Sequence, residues 1–476
     1  MMGESRNQYT LLFRCCVVLG LVLRCWHYFR NPCVWMDEAA TLVNVINLDC
    51  SGHLGPLLLD SATPPLYLML LRCLTLPLND GVLVLRSVSI LSSCCSLLLV
   101  ASLARQLLVP MAATIAVLLF SVSDSLLFHA CEAKPYSSDV CLAAFVAWLY
   151  LRTRTWLLTA HFLLGAVLAP LMIWFSYPAC FILGGWLLAE FRRMFHKETP
   201  WMARGAYLLF AASAALSFFL LLVGPIKAQS TSAMRDCWVD GFPNWSKPLE
   251  VPLWSILQAG EVARYIAPPW GSAFLFFAFW GARVFYKCGT SHRTLLVLLV
   301  TPVVAAWLAS LLGRYPFMAA RVMAYAAPAV VLLTGAGIAD LLPRIWKIKL
   351  CRAWAVVIVL YVLIPLGYSL YIAVVPWSRP PSDVVSEFVL KQREPHVPVL
   401  YNHWDFEYYL RKLPRDDRKL YTDADTPEWI VRQKAMWMLY TSSVRPERCP
   451  FQISDGFKVT RVACFYMTTV YYAVKE

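Results

Sequence analysis

The sequence predicts an all-α polytopic membrane protein, with about 11 transmembrane helices and a small α/β domain at its C-terminal end. Three observations lead there. Of 476 residues, 59% are hydrophobic and 15% charged, and the mean hydropathy of +0.58 lies far outside the soluble globular range. Apolar runs of the ~20 residues that a helical span needs recur along the chain, whereas the alternating segments of a membrane β-barrel are absent. After "VVPWSRPPSD" the composition turns polar, which divides the chain into a transmembrane domain (1–376) and a C-terminal domain (377–476).

The first span covers residues 10–29. Arg14 and Arg24 interrupt its apolar run and no small-residue cleavage site follows, so it reads as a retained anchor and not a cleaved signal. With its start in the cytoplasm, basic clusters should close every second span. They stand at Arg105, at Arg152 and Arg154, in "FRRMFHK", at Lys287 and Arg293, and in "PRIWKIKLCR", closing spans at 85–104, 139–151, 177–191, 271–286 and 322–342. The returning spans fall at 109–128, 156–172, 204–224, 294–312 and 353–376. The stretch "PPLYLMLLRCLTLPL" (64–78) is excluded, because it is short, carries Arg72 in its middle, and as a span would invert every later helix. It reads as an interfacial or re-entrant helix in the first outer loop. The outer features are then 30–84, 129–138, 225–270 and the C-terminal segment, in which "VPVLY" and "RVACFYMTTVYYAV" have strand character and "DFEYYLRKL" is helical.

The net charge of +13 comes from Lys and Arg gathered in short loops, as membrane insertion requires, and so argues for topology and against a nucleic-acid partner. The 16 cysteines show no metal-type spacing. Cys15, Cys16, Cys94, Cys95, Cys141 and Cys180 sit inside spans as small hydrophobes, while Cys449 and Cys464 lie in the polar segment, where pairing is open.

Three clusters carry chemistry. "VWMDEAATL" sets Asp37 and Glu38 at the outer end of the first span. Solvated acids at a helix start are the plain reading, but between Trp35 and an apolar helix both are partly shielded, and shielded carboxylates tend to be functional. "FHACEAKPYSSD" brings His129, Glu132, Lys134, Tyr136 and Asp139 into a loop short enough to be held against the bundle, with Asp124 about a turn deeper. A surface pair of Glu132 with Lys134 is its plain reading. "GRYPFMAARVMAYAAP" offers Arg314, Tyr315 and Arg321, where one Arg alone would snorkel to headgroups but two beside a Tyr can clamp a phosphate. Arg264 and Lys247 in the third outer loop are further candidates of that kind. A carboxylate that deprotonates a hydroxyl, bases that neutralise a phosphate and an interfacial groove for a lipid carrier together describe sugar transfer from a polyprenyl-phosphate donor. A transporter or flippase of lipid-linked precursors would want ionisable or helix-breaking groups near midplane, where these spans hold almost none. A non-catalytic membrane scaffold would leave the acids no reason to converge, and a polymerase or ligase of lipid-linked glycans shares the donor class.

The set "DEA", "TPPLYLMLLRCL", "LRSVSIL", "CEAKPYSSD" and "RYPFMAARVMAYAAPAVVLL" resembles the C-type (GT-C) membrane glycosyltransferases, nearest the bacterial branch similar to protein O-mannosyltransferases and lipid A aminoarabinose transferases. The resemblance covers the first four spans and part of the ninth and tenth, and none of the C-terminal segment. It implies a polyprenyl-phosphate sugar donor, inversion at the anomeric carbon, a lipid, glycan or protein acceptor, and an active site on the extracytoplasmic face of a bacterial inner (plasma) membrane. It implies Asp37 as general base with Glu38 beside it, and Glu132 as the acid that positions the acceptor or helps hold a divalent cation. Lys134 stands where many relatives have Arg, and Thr63 where relatives often have His before the two prolines. The Lys keeps the charge without the bidentate fork, and the missing His leaves no His-ligated metal to argue for, so no cofactor follows beyond an optional divalent cation. Departing phosphate needs no protonation, so only the base and the developing cation of inverting glycosidases carry over.

Overall fold

The computed structural model describes residues 2–78, 80–267, 271–421, 426–444, 446, 449–453 and 456–476. In chain order its helices are α1 (Met2–Phe29), α2 (Met36–Asn47), α3 (Pro65–Leu78), α4 (Val82–Leu107), α5 (Pro110–Ser121), α6 (Asp124–Ala130), α7 (Tyr136–Thr153), α8 (Leu158–Phe175), α9 (Ala179–Met194) and α10 (Trp201–Leu221). They continue with α11 (Lys227–Gln229), α12 (Ser232–Cys237), α13 (Val251–Ile266), α14 (Ser272–Lys287), α15 (Thr290–Leu311), α16 (Ala327–Lys347) and α17 (Arg352–Val374). The C-terminal segment adds α18 (Ser382–Gln392), β1 (Val399–Tyr401), α19 (Asp405–Tyr409), β2 (Arg418–Leu420), α20 (Thr426–Val431), β3 (Ala435–Thr441), β4 (Phe457–Phe465) and β5 (Thr468–Lys475).

Two compact units emerge: Met1–Arg30, Cys50–Pro56 and Ala62–Val375 form one, and Asn31–Asp49, Leu57–Ser61 and Pro376–Glu476 the other. The sequence reading left the whole first loop with the transmembrane domain; instead α2 and residues 57–61 group with the C-terminal segment. Hydrogen bonds explain the regrouping. The buried Asn44 carboxamide donates to the Leu58 carbonyl at 3.0 Å and accepts the Leu58 N–H at 2.7 Å, and the Val34 N–H donates to the Tyr409 hydroxyl at 2.9 Å.

Each expected span falls on helical segments, that at 109–128 on the two helices α5 and α6, but a count of 11 is not confirmed by helix length and composition. Among the described residues seven helices are long and apolar enough to cross a membrane, or eight if the pair α5 and α6, bent by 53°, is one span. Helices α9 and α14 have 16 residues each; at ~1.5 Å per residue that reaches about 24 Å, short of the roughly 30 Å hydrocarbon core. Helix α7 spends its first turn on Tyr136, Ser137, Ser138 and Asp139. The 14-residue α3, with Pro77 inside it, is below span length, in line with its exclusion from the spans.

The bend between α5 and α6 positions everything that follows. A helix end leaves carbonyls without intrahelical partners, and away from water these must be satisfied by protein groups. Arg24 of α1, fully buried, supplies them: its guanidinium donates to the Phe120 and Ser121 carbonyls at 3.2 and 3.3 Å, to Gly20 O at 3.0 Å and to the Ser93 hydroxyl of α4 at 2.9 Å. Past the break, Ser123 donates to the Ile266 carbonyl at 2.5 Å and Ser125 to the Tyr265 carbonyl, so the start of α6 closes the end of α13. Elsewhere in this unit α14 and α16 meet backbone to backbone: a Cβ on Gly281 would lie 1.8 Å from the Leu333 carbonyl oxygen, and one on Gly337 would lie 2.0 Å from that of Phe277.

In the second unit the sheet runs β2-β1-β3-β5-β4, with β1 parallel to β2 and β3 and the remaining pairs antiparallel. Alternation along β1 sends Val399 and Tyr401 into one apolar cluster and Leu400 into another, so both faces are covered. "RVACFYMTTVYYAV" is a hairpin, β4 to β5, turning at Tyr466 and Met467, while "DFEYYLRKL" yields only the short α19. Strands β2 and β3 were not foreseen. All 16 cysteines, Cys449 and Cys464 included, are free thiols.

Replacing Arg24 by Leu strands two buried carbonyls, each at a cost of about 1–3 kcal/mol. Arg24→Leu is expected to lower the thermal unfolding midpoint of the detergent-purified protein by several degrees, read by circular dichroism at 222 nm, with Arg24→Lys in between; an unchanged midpoint removes the capping role.

Candidate active site

The turn from α6 to α7 is the centre of the first unit's polar cluster. Pro135 sits at the N-cap of α7, where its missing N–H costs nothing. The Lys134 N–H bonds the Glu132 carbonyl at 2.9 Å, and the Ser89 hydroxyl of α4 donates to the Lys134 carbonyl at 3.1 Å while lying 3.2 Å from the Tyr67 hydroxyl of α3. The turn is therefore fixed to α3 and α4. His129, Glu132 and Lys134 are all buried.

His129 links two of these segments. Its Nδ1 is hydrogen-bonded to the Glu132 carboxylate, and its Nε2 lies 2.6 Å from the Tyr265 hydroxyl of α13. With Glu132 ionised, Nδ1–H donates to the carboxylate and the neutral ring accepts the Tyr265 proton; a protonated ring would donate at both nitrogens. The His129 ring is 5.0 Å from that of Tyr136, and the Arg321 guanidinium lies 5.9 Å from the Tyr136 ring and 5.1 Å from that of Trp238. Glu132, Tyr136 and Arg321, nearly 200 residues apart in sequence, thus belong to one cluster.

The partners of Arg321 in the sequence reading are placed differently. Tyr315 donates its hydroxyl to the Val322 carbonyl at 2.7 Å and packs its ring edge-on against Phe181 at 5.2 Å. Burial pushes its phenol well above the ordinary value, so it is a neutral strut beneath the Arg321 turn. Arg314 is exposed in the connection after α15. Arg264 donates from Nε to Glu261 at 2.8 Å along α13, and Lys247 pairs with Glu250 at 3.2 Å; Arg264, Lys247 and Glu250 are exposed and Glu261 is half-buried.

Beside α3, Gln229 gathers a second group that the sequence did not reveal. Its Oε1 accepts the Thr63 N–H at 3.0 Å and the Tyr177 hydroxyl at 2.6 Å, while its buried Nε2 has no hydrogen-bond partner among the described residues. An amide donor of that kind suits a ligand oxygen.

In the second unit Asp37 and Glu38 form the first turn of α2, where the helix dipole favours acids. They differ in surroundings. Glu38 is fully buried, its Oε2 3.8 Å from Nη1 of Arg379, and the same nitrogen donates to the Cys33 carbonyl at 2.7 Å. Asp37 keeps partial solvent access. Glu38 thus anchors the segment entering α2, and Asp37 is the more solvent-accessible of the two acids. Burial, and then the Asp383 carboxylate that accepts its S–H at 3.0 Å, push the Cys33 thiol up to about 12, so it is no nucleophile at neutral pH. No group of three or more His, Cys, Asp or Glu among the described residues is arranged to hold a metal ion.

Residues 64–174, which contain Glu132, Lys134 and Tyr136, match the family model of the protein O-mannosyl-transferase TMEM260 N-terminal domain. The chain is similar in structure to ArnT from Cupriavidus metallidurans in the apo state, with a TM-score of 0.57 and 11% identity over 98% of both chains. The same protein bound to undecaprenyl phosphate gives 0.56 and 10%, again over 98% of both. The archaeal oligosaccharyltransferase AglB from Archaeoglobus fulgidus, in complex with an inhibitory peptide and a dolichol-phosphate, is similar over 86% of this chain and 63% of its own, with a TM-score of 0.51 and 12% identity. No curated protein matches in sequence. What is shared at these identities is architecture: the chain has the fold of the C-type membrane glycosyltransferases.

Proposed function

We propose that this protein is a membrane glycosyltransferase that moves a sugar from a polyprenyl-phosphate donor to an acceptor hydroxyl, with inversion, at the extracytoplasmic face. The observation that carries the reading is that Glu132, Lys134 and Tyr136 fall inside the segment matching an O-mannosyl-transferase family model, within a fold shared with a protein solved on undecaprenyl phosphate. The distribution of basic clusters supports the sidedness. The family description makes polyprenyl-phosphate mannose the first donor to supply and a protein hydroxyl the first acceptor.

In this reading Asp37 removes the acceptor proton as the hydroxyl oxygen attacks the anomeric carbon. The bond from that carbon to the phosphate oxygen breaks, and the lipid phosphate leaves with its electron pair and no added proton. Arg321 and Lys134 stabilise the charge that gathers on it. Glu132, held through His129 to Tyr265, fixes the α6–α7 turn that carries Lys134 and Tyr136, and Gln229 offers its amide to a donor or acceptor oxygen. Arg264, Arg314 and Tyr315 stay outside the chemistry in this proposal. A divalent cation is not required by it.

Turnover of polyprenyl-phosphate mannose by the purified protein tests the assignment. Asp37→Asn is expected to abolish transfer while the protein elutes and melts as the parent does; full activity overturns the base. Arg321→Ala is expected to raise the donor KM by about tenfold, roughly 1.4 kcal/mol, with a smaller loss at saturation, whereas Arg314→Ala stays within about twofold, as for an exposed charge; equal effects of the two refute the phosphate role of Arg321. His129→Phe, which has no polar group to bridge Glu132 to Tyr265, is expected to lower kcat by more than Tyr265→Phe does, since the latter keeps the His–Glu bond. The reverse order would place the critical contact at Tyr265.

A further inference from the structure

Helix α13 lies outside every span expected from the sequence, yet its surface is not that of a water-exposed loop. Leu249 just ahead of it and Leu253, Ile256 and Leu257 within it are 94%, 60%, 66% and 58% exposed, and their spacing of four, seven and eight residues from Leu249 sets them on one side of the helix. Large apolar side chains exposed on consecutive turns mark an interaction surface. We propose that α13 is seated in the bilayer, with this side against the acyl chains of membrane lipids.

The level at which α13 meets its neighbour selects that occupant. The Trp307 indole of α15 donates to the Ser255 hydroxyl of α13 at 3.0 Å, and the Trp245 indole donates to the Leu311 carbonyl at the last residue of α15, also at 3.0 Å. Helix α15 is long and apolar enough to cross a membrane, and Trp307 stands four residues, ~6 Å along the axis, before its end. The contact with α13 therefore falls inside the span and not beyond it. Val304 and Leu308, a turn apart on α15, are exposed as well, so lipid that covers this span also borders α13. Trp245 and Trp307 sit as interfacial indoles do, with an apolar body and a bonded N–H.

Charge is distributed to match. Residues 251–260 hold no charged side chain; Lys247 pairs with Glu250 before them and Arg264 with Glu261 after them. That is the division of an interfacial helix, with an uncharged stretch in the acyl region and ionic groups at its ends. The inner side is packed into the first unit: Val262, Ala263 and Ile266 are buried, and Ser123 closes the Ile266 carbonyl. Lipid contact along the first turns thus seats the helix whose last turn presents Tyr265 to His129.

Fluorine NMR of the full chain in phosphatidylcholine nanodiscs tests the assignment. A trifluoromethyl-phenylalanine label replaces Leu253 or Leu257 in separate chains, so that one failing to fold leaves the other to decide. Its line is followed with dissolved oxygen, which concentrates in hydrocarbon, and with a gadolinium chelate, which stays in water. Labels at the exposed Leu363 of the span α17 and at the exposed Lys391 of α18 give the lipid and water references. Oxygen is expected to broaden the lines at 253 and 257 at least about threefold more than the chelate does, as at Leu363, in keeping with a helix face sunk roughly 5–10 Å into the headgroup–acyl boundary. Broadening chiefly by the chelate, as at Lys391, would return α13 to a water-exposed loop. A line sheltered from both reagents would put protein on this face, a second copy of the chain included. Either result overturns the proposal, and because neither depends on turnover, the sugar-transfer reading stands or falls separately.

Discussion

A helix broken inside an apolar bundle must have its loose backbone ends bonded by something other than water, and the first unit is organised around meeting that demand between α5 and α6. Arg24 closes the carbonyls of α5 from one side; Ser123 and Ser125 tie the start of α6 to the last carbonyls of α13 from the other. The second tie has a chemical consequence. It brings Tyr265 beside His129, and with His129 comes Glu132. The same backbone requirement that stabilises the bend therefore positions a carboxylate–imidazole–phenol chain at the head of α7. A charged guanidinium is normally expensive in such surroundings, but Arg24 donates to three carbonyl oxygens and a hydroxyl and lies 5.5 Å from the Phe120 ring, and at the C-terminal end of α5 its charge also meets the negative end of the helix dipole.

The acids of α2 illustrate how adjacent residues of like chemistry acquire different work. One residue's rotation about the helix, roughly 100°, sends Glu38 inward to Arg379 and leaves Asp37 partly solvated. Removing a buried partner of an ion pair leaves an uncompensated charge, so Glu38 and Arg379 hold the shape of the second unit, whereas Asp37 keeps partial solvent access.

Much of the fold was legible because it rests on local signals. Apolar runs and basic clusters located each long helix, and the arginine and length of 64–78 marked α3 as no span. The count is least secured where local pattern stops being informative: α9 and α14 are apolar but have 16 residues each, and the α5–α6 run is continuous in hydropathy while its backbone bends at Val122 and Ser123. The sequence named Glu132, Lys134, Tyr136 and Arg321 from residue type and loop length. It did not foresee Tyr265, Trp238 or Gln229, because each enters through tertiary contact from a segment with no motif of its own. Tyr315 beside two arginines reads as a phosphate ligand until its hydroxyl is seen bonded to the Val322 carbonyl. The grouping of α2 with the C-terminal segment was likewise invisible, since it depends on Val34 and Cys33 finding partners in Tyr409 and Arg379, distant in the chain.

The central claim is a single displacement in which a lipid phosphate departs as a hydroxyl arrives. It is tested most directly by supplying the purified protein with β-linked polyprenyl-phosphate mannose and a hydroxyl acceptor, then determining product anomeric configuration by NMR alongside the amount of polyprenyl phosphate released. The account predicts α-linked product and one lipid phosphate freed per sugar transferred. A β-linked product, or sugar transfer without matching release of lipid phosphate, would contradict it.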